Sequence, residues 1–256
     1  VYVIGTEVPV PGGATEAIDG LAVTTPDAAL ATIQAHRFAF IEAGLDAAWT
    51  RVIASVVQPG VEFDHHNVIA YAPANAQTLS AAIAGQPGMV FEAHSTDYQT
   101  RTALQALVRD HFAILKVGPG LTFALREALW ALDAIEREWI ADTQRAHLRA
   151  TTLTRLHAEP KYWQRYYHAQ GEQLHIDLQY SLSDRIRYYW PDTAIERARL
   201  QLFDTLRSNP PPLALIGQYL PHALLALREG RISNTPDALV MAHIDTVLDD
   251  YLHACH

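Results

Sequence analysis

The fold of this chain is decided by the stretch MVFEAHSTDYQT, residues 89–100. Here a short apolar run, Met89 to Phe91, stops at Glu92-Ala93-His94, a group of side chains suited to chemistry. Three further apolar runs end in the same abrupt way: Tyr2 to Ile4 before Gly5-Thr6-Glu7, Val52 to Val57 before Gln58-Pro59-Gly60, and Phe112 to Val117 before Gly118. Helical stretches separate the runs. This alternation predicts parallel strands in βα units, whose functional groups gather at the carboxyl ends of the strands.

Four such units are visible in the sequence, whereas a closed barrel of this type has eight strands. From about Leu125 onward the strand pattern disappears, and apolar residues recur at spacings of three and four, as in a helix. We therefore predict an α/β fold: the C-terminal half of a TIM (β/α)8-type barrel over residues 1–130, followed by an all-helical C-terminal extension over residues 131–256. Val1 falls directly into a strand pattern, which predicts that the N-terminal barrel strands are missing from this chain.

The composition excludes several classes of partner. The chain has 19 Lys and Arg residues against 28 Asp and Glu residues, and its net charge is -9. A surface of that sign repels phosphate backbones, and no cluster of basic residues reverses it locally, so we expect no nucleic-acid binding. No apolar run approaches the roughly 18 residues of a membrane helix, so we expect no membrane insertion. The single cysteine, Cys255, permits no disulfide within the chain, and this favours a cytoplasmic location.

Polar side chains from separate predicted strands should meet at one rim. Carboxylates and imidazoles placed together can hold a divalent metal such as zinc or manganese, which would polarise a sugar carbonyl or hydroxyl. Glu62 lies on the same predicted rim. We assign catalytic roles to Glu7, Glu92, Asp97 and Lys116, and metal ligation to His65 and His94. The alternative for each residue taken singly is that it closes the rim by hydrogen bonding to the backbone.

A second set of residues is suited to binding a phosphorylated sugar. Gly118-Pro119-Gly120 leads into a helix, so backbone N–H groups and the helix dipole could face an anion there. The alternative is a turn that needs glycine for its backbone geometry. The predicted substrate- or phosphate-binding residues are Gln58, Ser95, Thr96, Gly118, Gly120 and Arg185. Ser95 and Thr96 could equally cap the next helix. No nucleotide-binding motif is present, and no organic cofactor is predicted.

The densest aromatic and basic stretch runs from Ser181 to Pro191. Ser181 and Asp184 have the spacing of a helix-capping box. Arg185 and Arg187 could reach an anion at the barrel mouth. The favoured interpretation is that this segment docks the helical part against the barrel or against a partner subunit, because Trp, Tyr and Arg anchor interfaces.

Long ordered strings of this sequence resemble the GatZ/KbaZ-type family, which comprises non-catalytic accessory subunits of class II D-tagatose-1,6-bisphosphate aldolase. The strings that carry the resemblance are residues 2–13, 56–65, 92–100, 110–119 and 180–191. The resemblance implies a barrel protein of galactitol or N-acetylgalactosamine (tagatose 6-phosphate) catabolism that supports the activity and stability of a separate, zinc-dependent catalytic aldolase subunit. It also implies that the name tagatose 6-phosphate kinase, sometimes given to the family, is doubtful.

Two functions therefore stay open at this point. The first is an accessory subunit that supports the activity and stability of the catalytic class II aldolase subunit. The second is a metal-dependent ketose or ketose-phosphate epimerase or aldolase that acts at its own barrel site, since a scaffold has no evident need for acidic and imidazole groups at strand ends. A sugar phosphate is the expected small-molecule ligand, and a homo-oligomer is left open.

Overall fold

A computed structural model of the protein describes residues 1–6 and 21–256. The chain divides into two compact units, Val1–Gly118 together with Asp250–His256, and Pro119–Asp249. The division predicted from the sequence lay at residue 130. The structure places it at Pro119, the first residue of the helix α5 (Pro119–Trp139), and the last seven residues of the chain return to the first unit.

The first unit is built on a parallel sheet. Its strands β1 (Tyr2–Ile4), β2 (Val52–Val57), β5 (Val90–Ala93) and β6 (Ile114–Leu115) lie in the order β1-β2-β5-β6, and each neighbouring pair is parallel. The sequence prediction of parallel strands is confirmed. Two short strands, β3 (Glu62–Phe63) and β4 (Val68–Ile69), form a separate antiparallel hairpin that was not predicted from the sequence. Each of its strands has two residues, too few for an alternating pattern to be visible.

The helices of the first unit cover this sheet. They are α1 (Pro26–Glu42), α2 (Asp46–Trp49), α3 (Pro73–Ala82) and α4 (Arg101–Arg109). In the sequence, Thr25 followed by Pro26 predicts a helix start, and the structure confirms it: Thr25 caps α1 by accepting a hydrogen bond from the Ala28 N–H, and Pro26 occupies the first turn. Buried residues from the sheet and from α1, α3 and α4 form one apolar core, which includes Val57, Phe91 and Leu107.

Gly5 sits directly after β1, where the backbone comes close to β2. A Cβ atom at this position would lie 2.9 Å from the Cβ of Val56, which is closer than two carbon atoms can approach. Glycine is therefore required here by close packing between the two strands. Val56 is in turn the sheet partner of Glu92 on β5. The close contact between Gly5 and Val56 therefore lies next to the strand end that carries the candidate site.

The second unit is helical throughout the residues assigned to regular structure. Its helices are α5 (Pro119–Trp139), α6 (Leu148–Ala158), α7 (Gly171–Tyr180), α8 (Thr193–Ser208), α9 (Leu213–Tyr219), α10 (Pro221–Arg228) and α11 (Pro236–Ala254), with short 3-10 turns at Asp142–Gln144, Pro160–Tyr162 and Arg185–Tyr188. Leu129, Leu132 and Ile135 lie in its core, as their spacing predicted. Among the described helices, none has both the length and the apolar character needed to cross a bilayer.

Candidate functional site

The candidate site is centred on a hydrogen-bonded carboxylate and imidazole at the carboxyl end of β5. Glu92 is the next-to-last residue of β5 and His94 follows the strand, so one residue, Ala93, separates them and their side chains share one face. The His94 Nε2 and Glu92 Oε1 atoms are 2.6 Å apart, and both side chains are largely buried. A carboxylate hydrogen-bonded to an imidazole is an arrangement that can move a proton. The structure brings these two predicted site residues into contact.

The loop after His94 is held in an unusual backbone conformation. Ser95 and Tyr98 have positive φ angles of 55° and 62°, a region that residues other than glycine seldom adopt. Thr96 is fully buried and its hydroxyl donates a hydrogen bond to the Lys116 carbonyl at 2.8 Å, which ties the end of β5 to the end of β6. Asp97 Oδ1 accepts a hydrogen bond from the Gly118 N–H at 2.8 Å. The loop is therefore fixed at two neighbouring positions, Thr96 and Asp97, by hydrogen bonds to the backbone at the end of β6.

Glu62 adds a second buried carboxyl group. It is 7% exposed, and one of its oxygens accepts a hydrogen bond from the Phe63 N–H at 3.0 Å. Burial raises the pKa of Glu62 above its usual value, partly offset by the bonds from Phe63 and Ser95, and the nearby Asp97 charge also raises it. Glu62 comes from the unpredicted hairpin, which brings it to Ser95.

The C-terminal turn of α11 closes over this loop. The Tyr251 hydroxyl donates a hydrogen bond to the Thr96 carbonyl at 2.8 Å and lies 3.3 Å from the Thr96 hydroxyl. Burial raises the pKa of Tyr251 above its usual value, so this hydroxyl keeps its proton and stays a donor. Arg101 and Asp250 form a neighbouring ion pair at 2.7 Å. Sequence reasoning missed Tyr251, because no local pattern links a tyrosine in the last helix to a loop 155 positions earlier.

Replacing Tyr251 with phenylalanine should lower the free energy of unfolding of the first unit by about 1–2 kcal/mol, because the buried Thr96 carbonyl would lose its donor. Urea denaturation measures the global change, and hydrogen exchange of a peptide containing residues 94–100 measures the local one. Tyr2→Phe is the matched control, since Tyr2 is 40% exposed in the same unit. Equal exchange rates in Tyr251→Phe and Tyr2→Phe would contradict the role assigned to the hydroxyl.

The other predicted site residues of the first unit occupy supporting positions. Gln58 Oε1 accepts hydrogen bonds from the N–H groups of Gly60 and Val61, at 2.8 and 2.9 Å, and so shapes the loop after β2. The Lys116 side chain is exposed, and its backbone N–H donates to the Ala93 carbonyl at 3.0 Å. His65 is half-buried in the β3–β4 hairpin beside His66. Glu7 lies outside the described residues.

Gly120 and Arg185 belong to the second unit. Gly120 is a buried residue of α5. Arg185 is 6% exposed, its Nε donates to the Tyr162 carbonyl at 2.8 Å, and its guanidinium carbon lies 3.5 Å from the centre of the Tyr166 ring. Gly118 has neither a positive φ nor a neighbour that a Cβ would touch. Ser181 and Asp184 do not form the predicted capping box. The helix α7 ends at Tyr180, and the backbone of Asp184 is in the left-handed region, with a φ of 45°.

The fit of a metal ion can be tested on the donor groups themselves. Within residues 1–6 and 21–256, no three His, Cys, Asp or Glu side chains come together as a metal site requires. Glu92 and His94 satisfy each other, and His65 lies in the hairpin. The described donors therefore do not make up a metal centre by themselves.

Taken together, the fold and this strand end define an α/β protein with a parallel sheet whose carboxyl edge carries a buried acid–imidazole pair under a fixed loop. More particularly, the chain belongs to the family described as D-tagatose-1,6-bisphosphate aldolase subunit GatZ/KbaZ-like, whose model matches residues 1–256. The resemblance found in the sequence is thus confirmed.

Two solved structures are similar to this chain. A probable tagatose 6 phosphate kinase from Sinorhizobium meliloti 1021 is 46% identical, with a TM-score of 0.91, over 100% of this chain and 62% of that one. A fructuronate-tagaturonate epimerase from Cohnella laeviribosi is 17% identical, with a TM-score of 0.40, over 91% of this chain and 44% of that one. The chain therefore spans about three-fifths of the length of the more similar structure, 62%.

Proposed function

We propose that this chain acts as an accessory subunit of class II D-tagatose-1,6-bisphosphate aldolase, supporting the activity and stability of a separate catalytic subunit. The observation that carries the proposal is the family match, which extends over all of residues 1–256. The site geometry supports it as well. Glu92 is paired with His94, Asp97 with the Gly118 N–H, and Gln58 with two backbone N–H groups, so polar groups at the strand ends serve the protein's own structure.

Several finer statements belong to the same proposal. The four parallel βα units represent the C-terminal half of a (β/α)8 barrel, and the helices from Pro119 onward represent the helical extension. The pathway is galactitol or N-acetylgalactosamine catabolism, the ligand is a tagatose phosphate, and the location is the cytoplasm. A kinase activity is not proposed, because the sequence has no glycine-rich loop followed by lysine that would cradle a nucleotide phosphate.

The second candidate is a metal-dependent ketose or ketose-phosphate epimerase or aldolase at the chain's own site. The buried Glu92–His94 pair favours it, because a carboxylate that orients an imidazole is a usual arrangement for a general base. The pKa of Glu62, raised by burial, adds a group able to carry a proton close by.

Mixing the chain with the catalytic aldolase subunit of the same organism tests the proposal. We expect the thermal midpoint of the catalytic subunit to rise, and its half-life at the midpoint temperature of the subunit alone to lengthen. The reason is that a partner that binds only the folded state stabilises it by about 3 kcal/mol at a hundredfold excess over Kd. Calorimetry and residual aldolase activity measure the two effects. An unrelated acidic protein at the same concentration is the control, and an unchanged half-life would refute the proposal.

The variants Glu92→Gln and His94→Ala separate the two candidates. For an accessory subunit, both variants should still activate the catalytic subunit, and neither they nor the unmodified chain should epimerise or cleave a ketose phosphate alone. For the enzyme candidate, the unmodified chain supplied with zinc or manganese should turn over, and each variant should lose activity by about 100-fold or more. Metal-dependent turnover that vanishes in His94→Ala would decide for the second candidate.

A further inference from the structure

A compact group of aromatic and basic side chains lies on the second unit and is not part of the candidate site. The rings of Tyr162 and Tyr188 stack on each other, with their centres 5.5 Å apart and their planes inclined by 25°. Both are partly exposed, at 36% and 39%. Lys161 Nζ is 4.7 Å from the centre of the Tyr162 ring, and the Arg187 guanidinium carbon is 4.6 Å from that of Tyr188. We call these four residues the tyrosine–arginine surface.

This surface is held rigid from beneath. The buried Arg185 donates from Nε to the Tyr162 carbonyl at 2.8 Å, and its guanidinium carbon lies 4.7 Å from the centre of the Tyr188 ring. Arg187 donates to the carbonyls of Ser183 and Asp184 and to the Tyr188 hydroxyl. The segments around residues 162 and 188 are thus joined by side-chain to backbone bonds. Side chains already fixed in this way lose little entropy when a partner binds them.

The charge of the surface is opposite to that of the chain as a whole. The chain carries a net charge of -9, yet the surface presents Lys161 and Arg187 above the buried Arg185. Lys161 is exposed and Arg187 is half-buried. Asp184, the nearest acid in sequence to Arg187, is buried and paired with Arg126, and the Arg187 charge also helps to lower its pKa. An exposed lysine beside a half-buried arginine fits an acidic partner, whose charges would complement them.

The arrangement of the rings distinguishes between kinds of ligand. A sugar ring or a nucleic-acid base would need an open aromatic face to stack upon. Here Tyr162 and Tyr188 cover each other, and cations lie over both rings. The surface therefore consists of partly exposed tyrosines whose ring faces are already occupied, and Tyr and Arg are typical of the residues that dominate binding energy between proteins.

We propose that the tyrosine–arginine surface is a docking site for an acidic surface of the catalytic aldolase subunit. This inference rests on the proposed function, which supplies that partner. The carboxylates of the partner pair with Lys161 and Arg187, while its apolar atoms pack against the edges of the two tyrosine rings. Binding consequently weakens as salt is added, because part of the attraction is between exposed charges.

The experiment is an isothermal titration calorimetry measurement of the full chain binding to the catalytic aldolase subunit, at roughly 50 and 300 mM salt. Lys161→Glu and Tyr188→Ala should each weaken binding by about tenfold or more. Arg197→Glu is the matched control, since it makes the same change of charge at an exposed position of α8 and should alter Kd by less than about twofold. Lys161 forms none of the backbone bonds that hold Arg187, so its replacement leaves the local fold intact, which circular dichroism verifies.

The possible outcomes separate the two proposals. If the unmodified chain binds and activates the aldolase while Lys161→Glu and Tyr188→Ala bind equally well, the docking site is overturned and the accessory function stands. If the unmodified chain neither binds nor activates the aldolase, the accessory function fails first. A duplex DNA of about 20 base pairs serves as a second probe, and binding to it as tight as to the aldolase would overturn the assignment of an acidic protein as the occupant.

Discussion

Replacing Asp184 with alanine is expected to lower the free energy of unfolding of the second unit by about 3–5 kcal/mol. Asp184 and Arg126 form an ion pair in which the Nε and Oδ1 atoms are 3.7 Å apart, and the two side chains are 1% and 2% exposed. Thr122 donates a hydrogen bond to the other Asp184 oxygen at 2.6 Å. Without the carboxylate, a guanidinium that cannot give up its proton would stay buried without its counter-ion.

Replacing the other member of the ion pair, Arg126, should lower the free energy of unfolding by less. Burial raises the pKa of Asp184 above its usual value, because desolvation outweighs the stabilising effects of Thr122 and Arg126. In Arg126→Met the pKa should rise further, and the carboxyl can then bind a proton instead of remaining charged. A carboxyl whose pKa is raised in the folded state stabilises the fold at low pH and loses that contribution as pH rises. The stability difference between the wild type and Arg126→Met should therefore widen with increasing pH.

Urea denaturation of both variants, followed by tryptophan fluorescence across the acidic pH range, measures these differences. Asp184→Asn should be intermediate, since asparagine tolerates the left-handed backbone at this position and keeps an acceptor for Thr122. Asp245→Ala is the control, because Asp245 is an exposed acid of the same unit, and its loss should change stability by less than about 0.5 kcal/mol. Equal costs for Asp184→Ala and Asp245→Ala would show that the ion pair is not part of the folded core.

The elements that the sequence predicted well are those with strong local signals. Val52–Val57 is apolar at nearly every position and is found as a strand with those bounds. Thr25-Pro26 and Thr235-Pro236 combine a capping residue with proline in the first turn, and helices begin at Pro26 and Pro236. The parallel arrangement followed from helices between successive strands, because parallel strands need such long connections.

The elements that it missed depend on contacts between distant residues. The β3–β4 hairpin is shaped by Asp64, whose Oδ1 accepts hydrogen bonds from the N–H groups of His66 and Asn67, both at 2.6 Å. The flanking strands have only two residues each, so no strand pattern in the sequence marks this aspartate turn. The return of residues 250–256 to the first unit is likewise invisible to periodicity, since the helix continues without interruption from Pro236 to Ala254.

For the candidate site, the sequence predicted which strand end carries polar groups but not how those groups are paired. The i, i+2 spacing of Glu92 and His94 places both side chains on one face of an extended chain, where they can meet. Glu62 and Ser95 come together through the hairpin, and Thr96 meets Tyr251 through the C-terminal turn. Neither contact has a local signature, so the environment of the pair required the structure.

Replacing Phe112 with alanine is expected to lower the free energy of unfolding of the first unit by about 3–5 kcal/mol. Phe112 is fully buried, stacks on Phe91 with ring centres 5.7 Å apart, and meets the edge of Tyr71 at 5.9 Å. Its N–H donates to the Leu107 carbonyl, so the residue joins the end of α4 to the start of β6. A cavity at this position removes packing against Phe91 of β5, the strand that carries Glu92.

The loss should therefore reach the candidate site as well as the core. Hydrogen exchange should accelerate in the segment 90–97 of Phe112→Ala more than in the helices of the second unit, because Phe91 and Phe112 align β5 with β6. Phe38→Ala provides the matched control, since Phe38 is 61% exposed on α1 and its truncation should cost less than about 0.5 kcal/mol. If the two alanine variants proved equally stable, Phe112 would not pack beneath β5, and the sheet could not be what holds Glu92 and His94 together.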